Sequence, residues 1–477
     1  MNFHSRSESL EPFFNPRSVA IIGASRTEGK GGYNIVENLQ RLGYPGAVYP
    51  INPAGGELLG LPVYKDITMT PDVPDLALIV IQPSGVRDAL AACIDRRVRG
   101  VIIETAGFGE LGSSGAALEH EFARMAREGG IRLMGPNSVG TIDTFSRLDT
   151  SLGRLNKLFY PCGELHQGKA GFIGQTGLFT GVFLPLLNEE IGFSKIAALG
   201  NKCEVDECDM LEYYSRDNNI SFVGMYLESV KDGRRFMSIA RDAVRRKPVV
   251  VIKSAVTEAG ARMSASHTGS IAGEDRVYDA AFRQTGIIRV GGFEQLWDMA
   301  RAFVLAPLPH GNRVAIINLA GSGCVTAVDA CIRHGLRVAG LSPKTLNRCR
   351  DVFPSWWKVG SPIDLWTAIE TSGFAAAYTT ITRAVLEDDG VDAAIVIGGA
   401  VDWLPGTEIP SLFAPIVQEH PEKPVLVVNP PGDRTIYQRL LRGFREIGVP
   451  CFSSDEAAVT CLAAMCRYRL TKSRLNK

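Results

Sequence analysis

Residues 18–32 read SVAIIGASRTEGKGG, and this stretch decides the fold. Val19 to Ile22 form a short apolar run without polar alternation, the mark of a parallel strand buried on both faces. Gly23-Ala24-Ser25 and then Gly29-Lys30-Gly31-Gly32 carry the chain into a segment with helical spacing. Backbone amides at such a helix start are able to face an anion, so Gly23, Ala24, Ser25 and Lys30 are candidates for holding a nucleotide-like ligand. A tight turn without a ligand is the competing reading, because the stretch is not a GxGxxG. The next strand, VYPINP, ends in Asn52 and Pro53 instead of the acid that binds ribose in dinucleotide sites. That argues against NAD and leaves other nucleotides open.

The same strand signal recurs along the chain, at Leu76 to Ile81, Val101 to Ile103, Ile131 to Met134, Ala170 to Ile173, Phe222 to Leu227, Val249 to Ile252, Val314 to Asn318, Ala393 to Ile397 and Val425 to Val428. Helical spacing fills the intervals, as in Pro83 to Val98 and Arg234 to Arg246. Strands alternating with helices imply α/β layers joined by right-handed crossovers. Two joints interrupt the pattern: the irregular stretch Phe145 to Lys169, and APLPHG at Ala306 to Gly311. They predict divisions at about 147 and 308. KAGFIGQTGLFTG from Lys169 and RVAIINLAGSGCVTA from Arg313 echo one another as strand, glycine turn and helix, each opening a new sheet. The tail from Arg467 reads as a solvated end.

Length and composition fit this organisation. The chain has 477 residues, enough for about three domains. Lys plus Arg and Asp plus Glu are 51 each, so a general electrostatic grip on nucleic acid or anionic membrane is not expected. No apolar stretch approaches the roughly 18 to 20 residues that span a bilayer, and the N-terminus lacks the apolar core of a signal peptide. A cytoplasmic protein is expected. The 10 cysteines form no CxxC pair and meet no histidine at finger spacing, so neither a zinc site nor a disulfide framework is indicated.

Three strand ends after the first face one edge of the expected sheet: Ile81-Gln82-Pro83, Glu104-Thr105-Ala106-Gly107-Phe108, and Gly135-Pro136-Asn137-Ser138. Ligands of open α/β sheets bind beyond the carboxyl ends of the strands. Further on, Gln175, Thr176 and Gly177 join the strand AGFI to LFTGVFLPLLNEE, where a helix N-terminus would make a phosphate site without a cationic side chain; an ordinary turn is the alternative. Of 7 histidines, His267 alone sits among Ser, Thr and Gly, in SASHTGS from Ser264. An imidazole near neutrality is a competent nucleophile toward phosphorus, although a surface-loop histidine is also consistent with the pattern. Glu228, just past the strand FVGMYL, is placed to accept from the second ring nitrogen of His267; the alternative is a strand-end acid paired with Lys231 or Arg234. Asp232 is a weaker candidate. Gly321-Ser322-Gly323 is another glycine turn, as easily architectural as anion-binding, and Trp356 and Trp357 are left without a role.

GAS with GKGG, INP, ETAGFGE and GPNSVG, in this order, resemble the CoA-binding domain of the nucleoside-diphosphate-forming acyl-CoA synthetases, the group that includes succinyl-CoA synthetase and ADP-forming acetyl-CoA synthetase. The resemblance continues through GQTG at 174–177, ALGNKCEVDECDMLEYY from Ala198, MYLESVKDGRRF from Met225 and SASHTGSIAG from Ser264. The third segment, with SPIDLW at 361–366, resembles the extra domain of the acetyl-CoA synthetase α subunit. What the resemblance implies is a Rossmann-like CoA-binding domain over 1–147, a flavodoxin-like ligase domain with the phosphohistidine loop over 148–308, and a third flavodoxin-like domain over 309–477. It implies that CoA lies on Gly23, Ala24, Ser25, Lys30, Asn52, Gln82, Pro83, Glu104, Thr105, Ala106, Gly107 and Asn137. His267 is the position that family members phosphorylate, and Glu228 the one that orients it. Thr176 stands where most relatives have Ser, which keeps the hydroxyl and adds a methyl.

The implied reaction is carboxylate plus CoA plus ATP giving acyl-CoA, ADP and phosphate, through an acyl phosphate. The chain has no GxxxxGK[ST] loop and no stretch matching an ATP-grasp domain. The resemblance therefore implies that ATP/ADP and Mg2+ are bound by an ATP-grasp β-type subunit, in an α2β2 assembly, and that the segment from about Thr257 to Gly273 moves between two sites. Two alternatives stand beside it: a non-catalytic CoA-responsive regulatory module, against which His267 and Glu228 argue, and a nicotinamide-dependent oxidoreductase, against which Asn52 argues. The identity of the acid is not readable; Ser146 to Gln167 is where specificity is expected.

Overall fold

The computed structural model describes residues 10–153, 165–260, 262–263, 274–399, 409–430 and 432–476. The chain forms two compact units, Met1–Gly291 and Gly292–Lys477.

The first unit contains two sheets. The first has five parallel strands in the order Ala47–Ile51, Ser18–Ile22, Leu76–Ile79, Gly100–Ile103, Arg132–Met134. Val19, Ala20, Ile21, Leu76, Ala77 and Leu78 are fully buried, as the unbroken apolar runs require. Each such Val, Ile or Leu contributes on the order of 1.5–3 kcal/mol by leaving water. Helices Gly31–Arg41, Pro83–Asp95 and Ser113–Glu128 make the crossovers. Gly23 has φ +103, and a Cβ there would lie 2.2 Å from the carbonyl oxygen of Val80. Only glycine lets the first strand turn so close to its neighbour.

In the second sheet the order is Ile288–Val290, Val249–Lys253, Phe222–Leu227, Gln167–Gly174, Phe193–Ala198, Thr141–Asp143, Leu148–Asp149. The first five run parallel, and the last two form an antiparallel hairpin on the edge. The expected division at 147 falls in the turn of this hairpin, between Thr141–Asp143 and Leu148–Asp149. Thr141–Asp143 pairs with Phe193–Ala198 and Leu148–Asp149 with Thr141–Asp143, and the chain just beyond is held from the first domain: Asn38 Nδ2 donates to the carbonyls of Ser151 and Gly153, both at 3.1 Å. Arg132 bridges the two layers as well, with Nε 3.0 Å from Glu204 and Nη2 3.2 Å from Asp209.

The second unit is a six-stranded parallel sheet, ordered Arg337–Val338, Arg313–Asn318, Ala393–Ile397, Val425–Val428, Cys451–Phe452, with Ile363–Asp364 also paired to Arg313–Asn318. Helix Phe293–Leu305, which precedes the expected division at 308, belongs to this unit, where Phe303 packs edge-on against Tyr468 at 5.6 Å. Tyr468 lies on Asp455–Leu475, a 21-residue helix opened by Ser454, whose hydroxyl accepts from the N–H of Ala457 at 3.2 Å. The basic tail from Arg467 is therefore mostly the last turns of a packed helix, because the apolar residues before it and Tyr468 within it are buried. Among the described residues no helix is long and apolar enough to cross a membrane. The described cysteines are unbridged, and burial pushes the thiols of Cys93 and Cys203 up to about 12.

Candidate functional site

Parallel strands put their carboxyl ends on one edge, so the expected CoA residues of the first sheet share that edge. The turn itself is internally committed. Gly23 and Ala24 donate to the carbonyl of Ile51 at 2.9 and 3.1 Å, and the Ser25 hydroxyl accepts from Thr27 N–H at 3.0 Å. Asn52 knits the loop: its Nδ2 donates to Ala24 O at 3.0 Å and its Oδ1 accepts from Ala54 N–H at 3.0 Å. Lys30 is exposed at the start of helix Gly31–Arg41. Gln82 and Pro83 open helix Pro83–Asp95, with Pro83 in the first turn where its missing N–H costs nothing. Thr105 Oγ1 donates to Ile81 O at 2.8 Å, Ala106 is exposed, and Gly107 has φ +104. Asn137, at φ +58, donates its N–H to Thr105 O at 3.0 Å.

Glu104 departs from the expectation of a ligand contact. Its side chain turns inward, 4% exposed, and neither carboxylate oxygen has a hydrogen-bond partner among the described residues. Burial, reinforced by Asp149, pushes its pKa well above the usual carboxylate range. It lies beneath the edge and not on it.

Gln175 and Glu228 follow adjacent parallel strands of the second sheet, Gln167–Gly174 and Phe222–Leu227, which brings them to the same end. Together with Asn137, Thr176, Gly177 and Asn201 they line a cleft of about 370 Å³. Gln175 Oε1 accepts the backbone N–H groups of Glu228 at 2.8 Å and Ser229 at 3.1 Å. Its carbonyl end is thereby occupied, which leaves the amide NH2 as the end able to meet an anion. One oxygen of Glu228, Oε2, is buried without a hydrogen-bond partner among the described residues. Thr176 Oγ1 accepts from Leu178 N–H at 3.2 Å.

The helix expected from Gly177 onward is not there. Residues 177–183 are turns, followed by a short helix at Leu184–Leu186 and a wide, π-helical turn at Leu187–Ile191. Pro185 is the cause: it has no N–H to bond the carbonyl of Gly181, and Phe183 N–H reaches back to Leu178 O at 3.0 Å, one residue further than an α-helix allows. A helix dipole therefore does not act at Gln175, Thr176 and Gly177; what the loop offers an anion is local N–H and O–H groups. Asp232 is the N-cap of helix Gly233–Arg246, accepting from Arg235 N–H at 2.9 Å, a capping role that accounts for it. His267, and most of the segment expected to move, lie outside the described residues.

A polar network under the cleft was not read from the sequence. Lys202 is buried, with Nζ 2.7 Å from Glu207 Oε2 and 2.8 Å from Ser229 O. Glu207, fully buried, also accepts the N–H of Lys231 at 3.2 Å. Lys231 Nζ in turn donates to the carbonyls of Asn201, at 3.3 Å, and Lys202. Asn201 Nδ2 donates to Glu110 at 2.8 Å and Glu119 at 2.6 Å, carboxylates carried by the first domain. In the sequence the network shows only as the polar run GNKCEVDE at 200–207, and nothing in that run says that a lysine and a glutamate five residues apart are buried together.

Parallel sheets whose strand ends line a cleft make a ligand-binding α/β protein, and comparison with known proteins specifies a CoA ligase. The family model of the CoA binding domain matches residues 17–144, and that of the succinyl-CoA ligase like flavodoxin domain matches 167–303. The chain is 34% identical over 460 residues to acetate–CoA ligase [ADP-forming] II subunit alpha of Pyrococcus furiosus, covering 96% of this chain and 97% of that protein. It is 41% identical over 389 residues to acetate–CoA ligase [ADP-forming] II of Archaeoglobus fulgidus, covering 81% of this chain but 56% of that protein, so it spans little more than half the length of that relative. Among solved structures, the dinucleotide forming acetyl-coenzyme A synthetase 1 of Ca. Korarchaeum cryptofilum, in complex with phosphate and ADP, superposes with a TM-score of 0.88 at 29% identity over 98% of each chain. The chain belongs to the ADP-forming acyl-CoA synthetase family of acid–thiol ligases. The resemblance read from the ordered motifs, and the α/β class with CoA-binding and succinyl-CoA synthetase-like domains, are borne out.

Proposed function

We propose that this chain is the α-type component of an ADP-forming acyl-CoA synthetase, turning carboxylate, CoA and ATP into acyl-CoA, ADP and phosphate. The observation that carries the reading is the buried, unpartnered Oε2 of Glu228 in a cleft that also holds Gln175, Thr176 and Gly177. A buried acceptor without a donor is costly, and an imidazole N–H of His267 is the donor that would meet it. That bond fixes the tautomer, so that the other ring nitrogen presents its lone pair to phosphorus.

A thiol cannot displace oxide from a carboxylate directly. In the forward direction a carboxylate oxygen attacks the phosphorus carried by His267; the N–P bond breaks, its electron pair returns to the ring, and an acyl phosphate results. The CoA thiolate then attacks the acyl carbon and expels phosphate, which leaves with the C–O bonding pair. Gln175 Nε2, the Thr176 hydroxyl and the Gly177 amide hold the phosphoryl oxygens, while Glu228 stabilises the charged ring. The first-domain edge from Gly23, Ala24, Ser25, Lys30, Asn52, Gln82, Pro83, Thr105, Ala106 and Gly107 to Asn137 holds CoA and aims its thiol at the cleft.

ATP supplies the phosphoryl group. We assign it and Mg2+ to an ATP-grasp β-type subunit in an α2β2 assembly; that two relatives of similar length are named as alpha subunits supports a partner. The functional division we keep is 1–147 for CoA, 148–308 for phosphoryl transfer and 309–477 as the third domain, and the compartment is the cytoplasm.

The reverse half-reaction tests the reading without the partner. Purified chain is incubated with labelled phosphate and a panel of acyl-CoAs, beside His267→Asn. Acid-labile label on the wild type alone is expected, and the acyl-CoA that supports it names the acid. CoA binding without label for any acyl-CoA, even when the partner subunit is added, would instead fit the CoA-responsive regulatory module.

A further inference from the structure

From Glu228 to Lys231 the backbone donors of this loop are already taken. Glu228 and Ser229 N–H donate to Gln175 Oε1, Val230 N–H to the hydroxyl of Tyr278 at 3.1 Å, and Lys231 N–H to Glu207 Oε1. Four successive amides are captured by side chains, so what this loop can add to the donors at Gln175, Thr176 and Gly177 is a side chain. Two ammonium groups stand at this loop. Lys202 is compensated: it is buried and lies 2.7 Å from the carboxylate of Glu207. Lys231 is not. Among the described residues no carboxylate oxygen lies within 4.0 Å of its Nζ, and the side chain lines the cleft.

Lys231 is nevertheless held in place. Its ammonium donates to the carbonyls of Asn201 and Lys202, while Lys202 donates to the carbonyl of Ser229. Each lysine thus ties down the loop that carries the other. An ammonium has three N–H groups, so two carbonyl acceptors leave one for a ligand. Asn201 joins Glu110 and Glu119 to the same network, and Glu228 lines the cleft beside Lys231, so what Lys231 brings to the wall is the N–H of its ammonium that the two carbonyls leave over.

We propose that Lys231 is a phosphate-binding side chain of this cleft, contributing a charge-assisted hydrogen bond to the transferred phosphoryl group. The proposal rests on the reading of the cleft as a phosphoryl-transfer site. Burial, and then the neighbouring Lys202, lower the pKa of Lys231, so an anion that arrives relieves the repulsion between the two ammonium groups. Glu119, Glu207 and Cys203 also face it and act in the opposite sense. The competing role is scaffolding alone, the stapling of the 199–203 segment to the 228–231 segment.

Lys231→Gln separates the two roles, because glutamine keeps a hydrogen-bond donor for the carbonyls and loses the charge; Lys231→Arg keeps the charge. The first measurement is inorganic phosphate binding to the full chain by calorimetry. Lys231→Gln should weaken it at least about tenfold, the size of one charge-assisted hydrogen bond, and Lys231→Arg should recover most of the loss. The second is the labelling reaction, where the half-saturating phosphate concentration should rise in Lys231→Gln more than the maximal rate falls. Wild-type binding of phosphate matched by Lys231→Gln would overturn the proposal, as would a wild type that binds none. If phosphate binding behaves as expected but wild type takes no label with any acyl-CoA, it is the acyl-CoA synthetase reading that fails, and the phosphate site stands.

Discussion

The side-chain oxygen of Gln175 accepts the backbone N–H of Glu228 at 2.8 Å, across two adjacent parallel strands. A residue expected to hold phosphate thereby also fixes the residue expected to orient the histidine. The amide is bipolar, so its oxygen serves the Glu228 loop and its NH2 remains for the ligand.

Gln175→Ala removes the acceptor for two N–H groups at once. The expected cost is about 1–3 kcal/mol of stability, from donors left poorly satisfied, read by urea unfolding. Labelling by phosphate should fall further than this cost explains, because the Glu228 loop loses its register. An unchanged labelling rate would show that the bond does not position Glu228.

Glu228→Gln keeps the shape of the side chain and removes its charge. Phosphohistidine formation should drop roughly 10–100-fold, the usual effect of losing a group that orients a reacting imidazole. CoA binding, measured by calorimetry, should be unchanged, since the expected CoA contacts lie on the first domain.

Lys202→Met leaves Glu207 buried without its ammonium partner. Breaking a buried pair on one side costs about 3–5 kcal/mol, and denaturant unfolding should register it. The double variant Lys202→Met with Glu207→Gln should recover part of that loss. Additive single effects would mean that the 2.7 Å contact carries little coupling.

Burial raises the pKa of Asp149 from 3.8 to about 6, while hydrogen bonds to Ser151 oppose the shift. The folded chain thus holds a proton at Asp149 that the unfolded chain has released. Stability from this group is full below pH 3.8, is lost as pH rises toward about 6, and changes no further above it. The loss amounts to about 3 kcal/mol. Asp149→Asn should flatten this part of the profile and raise stability at pH 7 relative to wild type, by urea unfolding at pH 4.5 and 7. Parallel profiles for the two proteins would place Asp149 in contact with water.

Much of the fold was legible because buried parallel strands are local signals. Phe222–Leu227, Ala393–Ile397 and Val425–Val428 begin and end where the apolar runs do. Phe193–Ala198 was missed because Ser194 and Lys195 interrupt the run, and Lys195 is tolerated inside only through Asp143 at 2.9 Å and Asp217 at 2.7 Å. The helix after Gly177 was misread because apolar spacing outweighed Pro185. The family resemblance puts Glu104 on the CoA site, but its motif's position along a strand does not say which way a side chain turns, and here it turns inward.

For the site, the sequence by itself determined the ordered motifs, the strand ends on which Gln175 and Glu228 sit, and hence the family. Apolar runs, glycine turns and caps act between near neighbours in the chain, so they can be read in order. Only the tertiary structure decided that Gln175 clamps Glu228, that Lys202 and Glu207 are buried as a pair, and that the ammonium of Lys231 reaches the carbonyls of Asn201 and Lys202. Those are matters of which polar groups meet across segments distant in sequence and how much water reaches them, and neither pairing nor burial is set until the chain has folded.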